Sequence, residues 1–133
     1  MRKLIIDKTD TTPLVILDPA ERNFQISGQS RPSDVREFYD QIISWFDDFN
    51  IFLKDKKNTY DSMTFTFNLD YFNSSSAKLI VDVCKCLSML RQKGIKVTVK
   101  WCYEQEDVDM LEAGKEISRI VNCPFEYVES LQN

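Results

Sequence analysis

Apolar residues fall in two rhythms along the chain. At Met63, Phe65, Phe67 and Leu69 they alternate with Thr64, Thr66, Asn68 and Asp70, the period-two signature of a strand with one buried and one open face. Ile95, Val97, Val99 and Trp101 alternate in the same way with Lys96, Thr98 and Lys100. Between these runs Ala77, Ile80, Val83, Cys84, Leu87 and Leu90 recur at three- and four-residue steps. A helix of about five turns therefore follows Asn73–Ser76 and ends at Gly94, where a left-handed C-terminal cap belongs. The two strands should lie parallel, joined by a right-handed crossover.

The same reading extends to both ends. Leu4–Asp7 and Leu14–Asp18 are short runs of strand formers separated by the polar turn Lys8–Pro13. After a turn over Asp18–Asn23, residues Asn23–Ser27 alternate before Gly28, so the sheet should begin antiparallel with one wet face. Pro32, Ser33 and Asp34 are helix-start residues, and Val35, Phe38, Tyr39, Ile42, Trp45, Phe46, Phe49 and Phe52 form one stripe running to about Leu53. An aromatic stripe can line a ligand, yet at this spacing it is usually the face a helix lays on a sheet. Lys54–Thr59 reads as a charged loop, Asp107–Val121 as a third helix and Phe125–Val128 as a last strand. The predicted order is βββαβαβαβ, a mixed α/β sheet with helices packed on it, in a single domain over residues 1–133.

Composition narrows the function. At 133 residues the chain can bury a core without metal or disulfide staples. The net charge of −4 is spread along the chain with no long basic run, which argues against a nucleic-acid partner. Met1–Asp10 lacks the apolar core of a signal peptide and no window approaches a membrane span, so a cytoplasmic protein without membrane insertion is expected.

The chain has no histidine and four cysteines, Cys84, Cys86, Cys102 and Cys123. The missing histidine removes the commonest general base. Cys84 and Cys86 sit two apart on a helix, about 200° apart around its axis, so one metal ion cannot easily take both. All four are expected to be buried, reduced thiols, and neither a metal nor a cofactor is expected.

The segment Asp70-Tyr71-Phe72-Asn73-Ser74-Ser75-Ser76-Ala77-Lys78 joins the carboxyl end of a strand to the amino end of a helix, where sites of α/β sheets collect. Three consecutive hydroxyls there have an ordinary structural use, since Asn and Ser are the preferred turn and N-cap residues and one hydroxyl can accept a bond from the second or third helical N–H. They also suit a phosphoryl group, which would sit over free N–H groups and the positive end of the helix dipole, with Lys78 one turn along. Asn73-Ser74-Ser75 is formally a glycosylation sequon, set aside for want of a signal peptide.

Thr12-Pro13 before a strand ending in Asp18, Ile26-Ser27-Gly28, Phe38-Tyr39 with Trp45, Leu69–Lys78 and Trp101–Gly114 together resemble the SiaC family of regulatory phosphoproteins. The most specific stretch is Tyr71–Lys78, similar to a family motif of tyrosine or leucine, an apolar residue, asparagine, threonine, two serines and a nearby lysine. The resemblance implies a fold like that of anti-sigma-factor antagonists (STAS-like) and a switch rather than an enzyme. It implies phosphorylation by a partner kinase, dephosphorylation by a PP2C-type phosphatase, and binding of the unphosphorylated form to a diguanylate cyclase in cyclic di-GMP and biofilm signalling. By position the acceptor falls on Ser74, flanked by Asp70, Tyr71, Phe72, Asn73, Ser75, Ser76 and Lys78. Serine stands where the family motif has threonine, and offers the same nucleophilic oxygen without the methyl group.

Two other readings remain open at the level of sequence. The acidic run Glu104-Gln105-Glu106-Asp107-Val108-Asp109 could hold a metal or an acid/base pair in a small enzyme, although acidic residues are also favoured at the first turn of a helix. A constitutive adaptor could instead use exposed aromatics such as Tyr39, Tyr71 or Tyr103.

Overall fold

Each predicted element is present, in the predicted order, in a computed structural model that describes residues 1–55 and 60–130. The elements are β1 (Leu4–Ile6), β2 (Leu14–Asp18), β3 (Asn23–Ser30), α1 (Val35–Leu53), β4 (Ser62–Phe72), α2 (Ser74–Gln92), β5 (Lys96–Glu104), α3 (Val108–Val121) and β6 (Phe125–Ser130). The loop expected over Lys54–Thr59 falls, at positions 56–59, outside the described residues.

The six strands form one sheet in the order β1-β2-β3-β4-β5-β6. β1, β2 and β3 pair antiparallel, and β3, β4, β5 and β6 pair parallel. Each parallel step is bridged by one helix and moves to the adjacent strand, so right-handed crossovers place α1, α2 and α3 on the same face. α1 packs on α2 and α2 on α3. The strand alternation agrees: Met63, Phe65, Phe67 and Leu69 are buried under the helices, while Thr64, Asn68 and Asp70 point to the open face.

The core is aromatic where the α1 stripe meets the sheet. Tyr39, Ile42, Trp45, Phe46 and Phe49 are fully buried, and Trp45 stacks on Phe49 with ring centroids 5.0 Å apart. Trp101 forms a second centre. It is stacked against Phe125 at 5.9 Å, and its indole N–H donates to the Met110 carbonyl at 2.9 Å. Gly114 leaves the space that ring occupies, since a Cβ there would lie 2.4 Å from Trp101 Cδ1.

The ends of α2 are built as the residue types require. Beyond its C-cap Lys93, Gly94 adopts φ +98°. The Gly94 N–H donates to the Arg91 carbonyl and that of Ile95 to Leu90, satisfying two of the last carbonyls. One boundary moved. β3 continues past Gly28 to Ser30 because Gly28, at φ +109°, absorbs a register shift against β4 between Gly28 and Gln29. That extension delivers Ser30 to the start of α2.

Candidate functional site

The strand-to-helix turn after β4 treats its three serines differently. Asn73 is in extended backbone (φ −84°, ψ 172°), and its side-chain carbonyl accepts the Ser76 N–H at 2.9 Å. Of the two capping residue types expected in this turn, asparagine and serine, the Asn73 amide supplies the cap, reaching the third helical N–H and leaving the hydroxyls to other partners. Ser75 Oγ donates to Asn73 Oδ1 at 3.2 Å. Ser76 is sealed at 0% exposure.

Ser76 belongs to a buried chain of hydroxyls. Tyr39 OH lies 2.7 Å from Ser30 Oγ, Ser30 Oγ donates to Ser76 Oγ at 2.9 Å, and Ser76 Oγ donates to the Ser30 carbonyl at 3.0 Å. With Tyr39 donating to Ser30, every proton in the chain has an acceptor. The same carbonyl accepts the Asn73 N–H at 3.1 Å, so both its lone pairs hold the turn.

Ser74 is the contrasting case. It is the first residue of α2, exposed, and among the described residues no group hydrogen-bonds its hydroxyl. The first helical N–H groups have no partner within the helix, and Lys78 is exposed one turn along.

Two shallow hollows lie at the carboxyl ends of the parallel strands. One of about 260 Å³ is lined by Asp70, Tyr71, Phe72, Asp107, Asp109, Met110 and Ala113. The other, of about 270 Å³, shares Asp70 and Asp107 and adds Asn68, Leu69, Tyr103, Glu104 and Ser130. Asp70 is therefore gathered with the acidic start of α3, a grouping the sequence reading did not make. Its signal was available, because adjacent parallel strands bring their following loops side by side. Tyr71 stands half exposed at this end.

The acidic run 104–109 serves the helix. Asp107 is the N-cap of α3, accepting the Met110 N–H at 3.0 Å, and Asp109 lies in the first turn. Among the described residues no group of three or more Cys, Asp or Glu side chains is placed to hold a metal ion. The four thiols are free, but only Cys84 and Cys123 are buried, so the expectation of four buried cysteines is corrected for the half-buried Cys86 and Cys102. Cys86 packs against the margin of the core while staying partly exposed, and Cys102 follows the buried Trp101 on β5 and so faces the opposite side of the strand. The adaptor reading also loses a residue: Tyr39 is 0% exposed, because it shares the buried stripe of α1, and Tyr103 is half-buried.

A six-stranded sheet with the three crossover helices on one face defines a mixed α/β domain whose element order is broadly that of anti-sigma-factor antagonists. The chain belongs to the SiaC family of regulatory phosphoproteins, whose sequence pattern it matches over residues 6–130. It is accordingly a regulatory protein and not an enzyme. It is 27% identical over 125 residues to an uncharacterised protein of Pseudomonas aeruginosa (strain UCBPP-PA14), covering 94% of each chain. The crystal structure of apo-SiaC from P. aeruginosa superposes with a TM-score of 0.80 at 27% identity, over 98% of this chain and 100% of that one. A chain from the crystal structure of the P. aeruginosa diguanylate cyclase SiaD in complex with its activator SiaC gives a TM-score of 0.82 at 26% identity, over 96% and 99%. No helix among the described residues is long and apolar enough to cross a membrane.

Proposed function

We propose that the chain acts as a single SiaC-like unit in the cytoplasm whose Ser74 is phosphorylated by a partner kinase and dephosphorylated by a PP2C-type phosphatase, the unphosphorylated form binding and activating a diguanylate cyclase. The observation that carries this reading is the contrast within the turn: Ser74 Oγ is exposed and unbonded, whereas Ser75 is tied to Asn73 and Ser76 is sealed. A phosphoryl group on Ser74 adds about −1.5 to −2 charges beside the uncapped N–H groups of α2. It does so at a sheet end already carrying Asp70, Asp107 and Asp109. A partner docking there must desolvate or pair the added charge, and an unpaired ionic group in an interface costs several kcal/mol. Charge alone changes the affinity, without refolding the turn.

The test is calorimetric binding of the Ser74→Ala and Ser74→Asp variants to the organism's SiaD-like cyclase. Ser74→Ala should bind like the wild type and Ser74→Asp at least about tenfold more weakly; equal affinities would overturn the proposal. The half exposure of Tyr71 also suits an adaptor without a switch. Intact-mass analysis of protein from its native cells, with the added phosphoryl group localised by fragmentation, separates the two, because only the switch carries it on Ser74.

A further inference from the structure

The turn holds three chemically identical hydroxyls in a row, and the structure gives each a different constraint. Ser76 Oγ is inside the core, donating to the Ser30 carbonyl and accepting from Ser30 Oγ, which Tyr39 OH meets in turn. Reaching it would require unwinding the first turn of α2 and breaking a fully satisfied buried network. Ser75 is exposed, so burial does not protect it. What restrains Ser75 is Asn73, whose Oδ1 accepts both the Ser76 N–H at 2.9 Å and the Ser75 hydroxyl at 3.2 Å. The Asn73 carbonyl oxygen thus uses one lone pair to start the helix and the other to turn the Ser75 hydroxyl back toward the cap.

We infer that Asn73 is the residue that determines which serine is modified, holding Ser75 Oγ away from an incoming phosphoryl donor while the Ser30–Tyr39–Ser76 chain fixes Asn73 and withdraws Ser76. Asn73 is a positioning residue and takes no part in the transfer. Its own N–H is held by the Ser30 carbonyl at 3.1 Å, so the cap cannot swing away without disturbing the end of β3. The inference rests on the reading of Ser74 as the phosphorylated residue and adds the basis of its selection.

The experiment is fragment-resolved mass spectrometry of the full chain isolated from its native cells, reading the ratio of phosphate on Ser75 to phosphate on Ser74. Asn73→Gly is the informative variant, because glycine is tolerated at helix N-caps with little loss and the extended backbone of Asn73 suits it, while nothing then restrains Ser75. The Ser75 to Ser74 ratio should rise about tenfold, the weight of one lost hydrogen bond. Asn73→Asp keeps both acceptor positions and should restore the wild-type ratio, which a general loosening of the turn would not do. An unchanged ratio in Asn73→Gly, or a raised one in Asn73→Asp, overturns the inference and leaves Ser74 as the modified residue. Wild-type protein carrying its phosphate on Ser75, or none on Ser74, overturns the underlying reading itself.

Discussion

Ser76, the third residue of α2, donates its hydroxyl proton to the carbonyl oxygen of Ser30, the last residue of β3, at 3.0 Å with both side chains fully buried. Forty-six residues of chain separate the two, and this contact pins the helix that begins with Ser74 to the neighbouring strand. Ser30 contributes twice, through its carbonyl and through the hydroxyl that links Ser76 to Tyr39. Ser30→Ala should therefore destabilise by about 1–3 kcal/mol, since it leaves the Tyr39 hydroxyl buried with no acceptor. Tyr39→Phe removes one donor and keeps the Ser30–Ser76 bond, and should cost less, about 1 kcal/mol. Urea unfolding of both variants measures the order; a smaller loss for Ser30→Ala would contradict the proton arrangement described.

Gly114 faces the Trp101 indole so closely that a methyl group would meet the ring at 2.4 Å. The ring has no room to retreat, because Nε1 is bonded to the Met110 carbonyl and its face is stacked on Phe125. Gly114→Ala should lower stability by about 1–3 kcal/mol through overpacking, despite the better helix propensity of alanine. Denaturant unfolding, with tryptophan emission as the local reporter, gives the answer; a stabilised variant would refute it.

Alkaline pH should weaken the fold through the same buried phenol. Burial pushes the Tyr39 hydroxyl from 10.0 up to about 12, outweighing the hydrogen bond with Ser30, which acts in the opposite direction. The folded state thus favours the protonated phenol. The associated stability is complete below pH 10 and is lost as pH rises toward about 12, amounting to up to about 3 kcal/mol. Burial also raises Cys84 well above 9.0 and Cys86 to about 11, so part of the alkaline loss comes from thiols and begins near pH 9. Unfolding midpoints of wild type and Tyr39→Phe across this range should converge and then cross as pH rises, because only the wild type forfeits the phenol's share, which exceeds the variant's initial deficit of about 1 kcal/mol.

Periodicity carried most of the fold. The alternation at Met63–Asp70 and Ile95–Trp101 and the stripe through Ile80 and Leu87 are local signals, and the sheet satisfied them without conflict. Tyr39 shows where local signals divide: its place beside Ile42 and Phe46 already marked it as core, yet its hydroxyl invited a surface role. Only the pairing of β3 with β4, which brings up Ser30, provides the buried partner. The three serines were likewise indistinguishable as residue types. A rotation of 100° per residue about the helix axis turns Ser76 inward and Ser74 outward, and that phase is set by Asn73 as the cap. The gathering of Asp70 with Asp107 and Asp109 follows from β4 and β5 being parallel neighbours, a pairing the alternation already implied, although the sequence reading did not extend it to the two loops.

The strand order has a kinetic consequence. Each strand lies beside the one that precedes it in the chain, so no pairing waits for a segment made much later. The N-terminal three-strand meander is extended by one helical crossover at a time, so each parallel pairing closes only the segment that holds its own helix. The hydrogen bonds that fix the turn bearing Ser74 run from Asn73 and Ser76 to Ser30 at the end of β3, and use neither β5 nor β6.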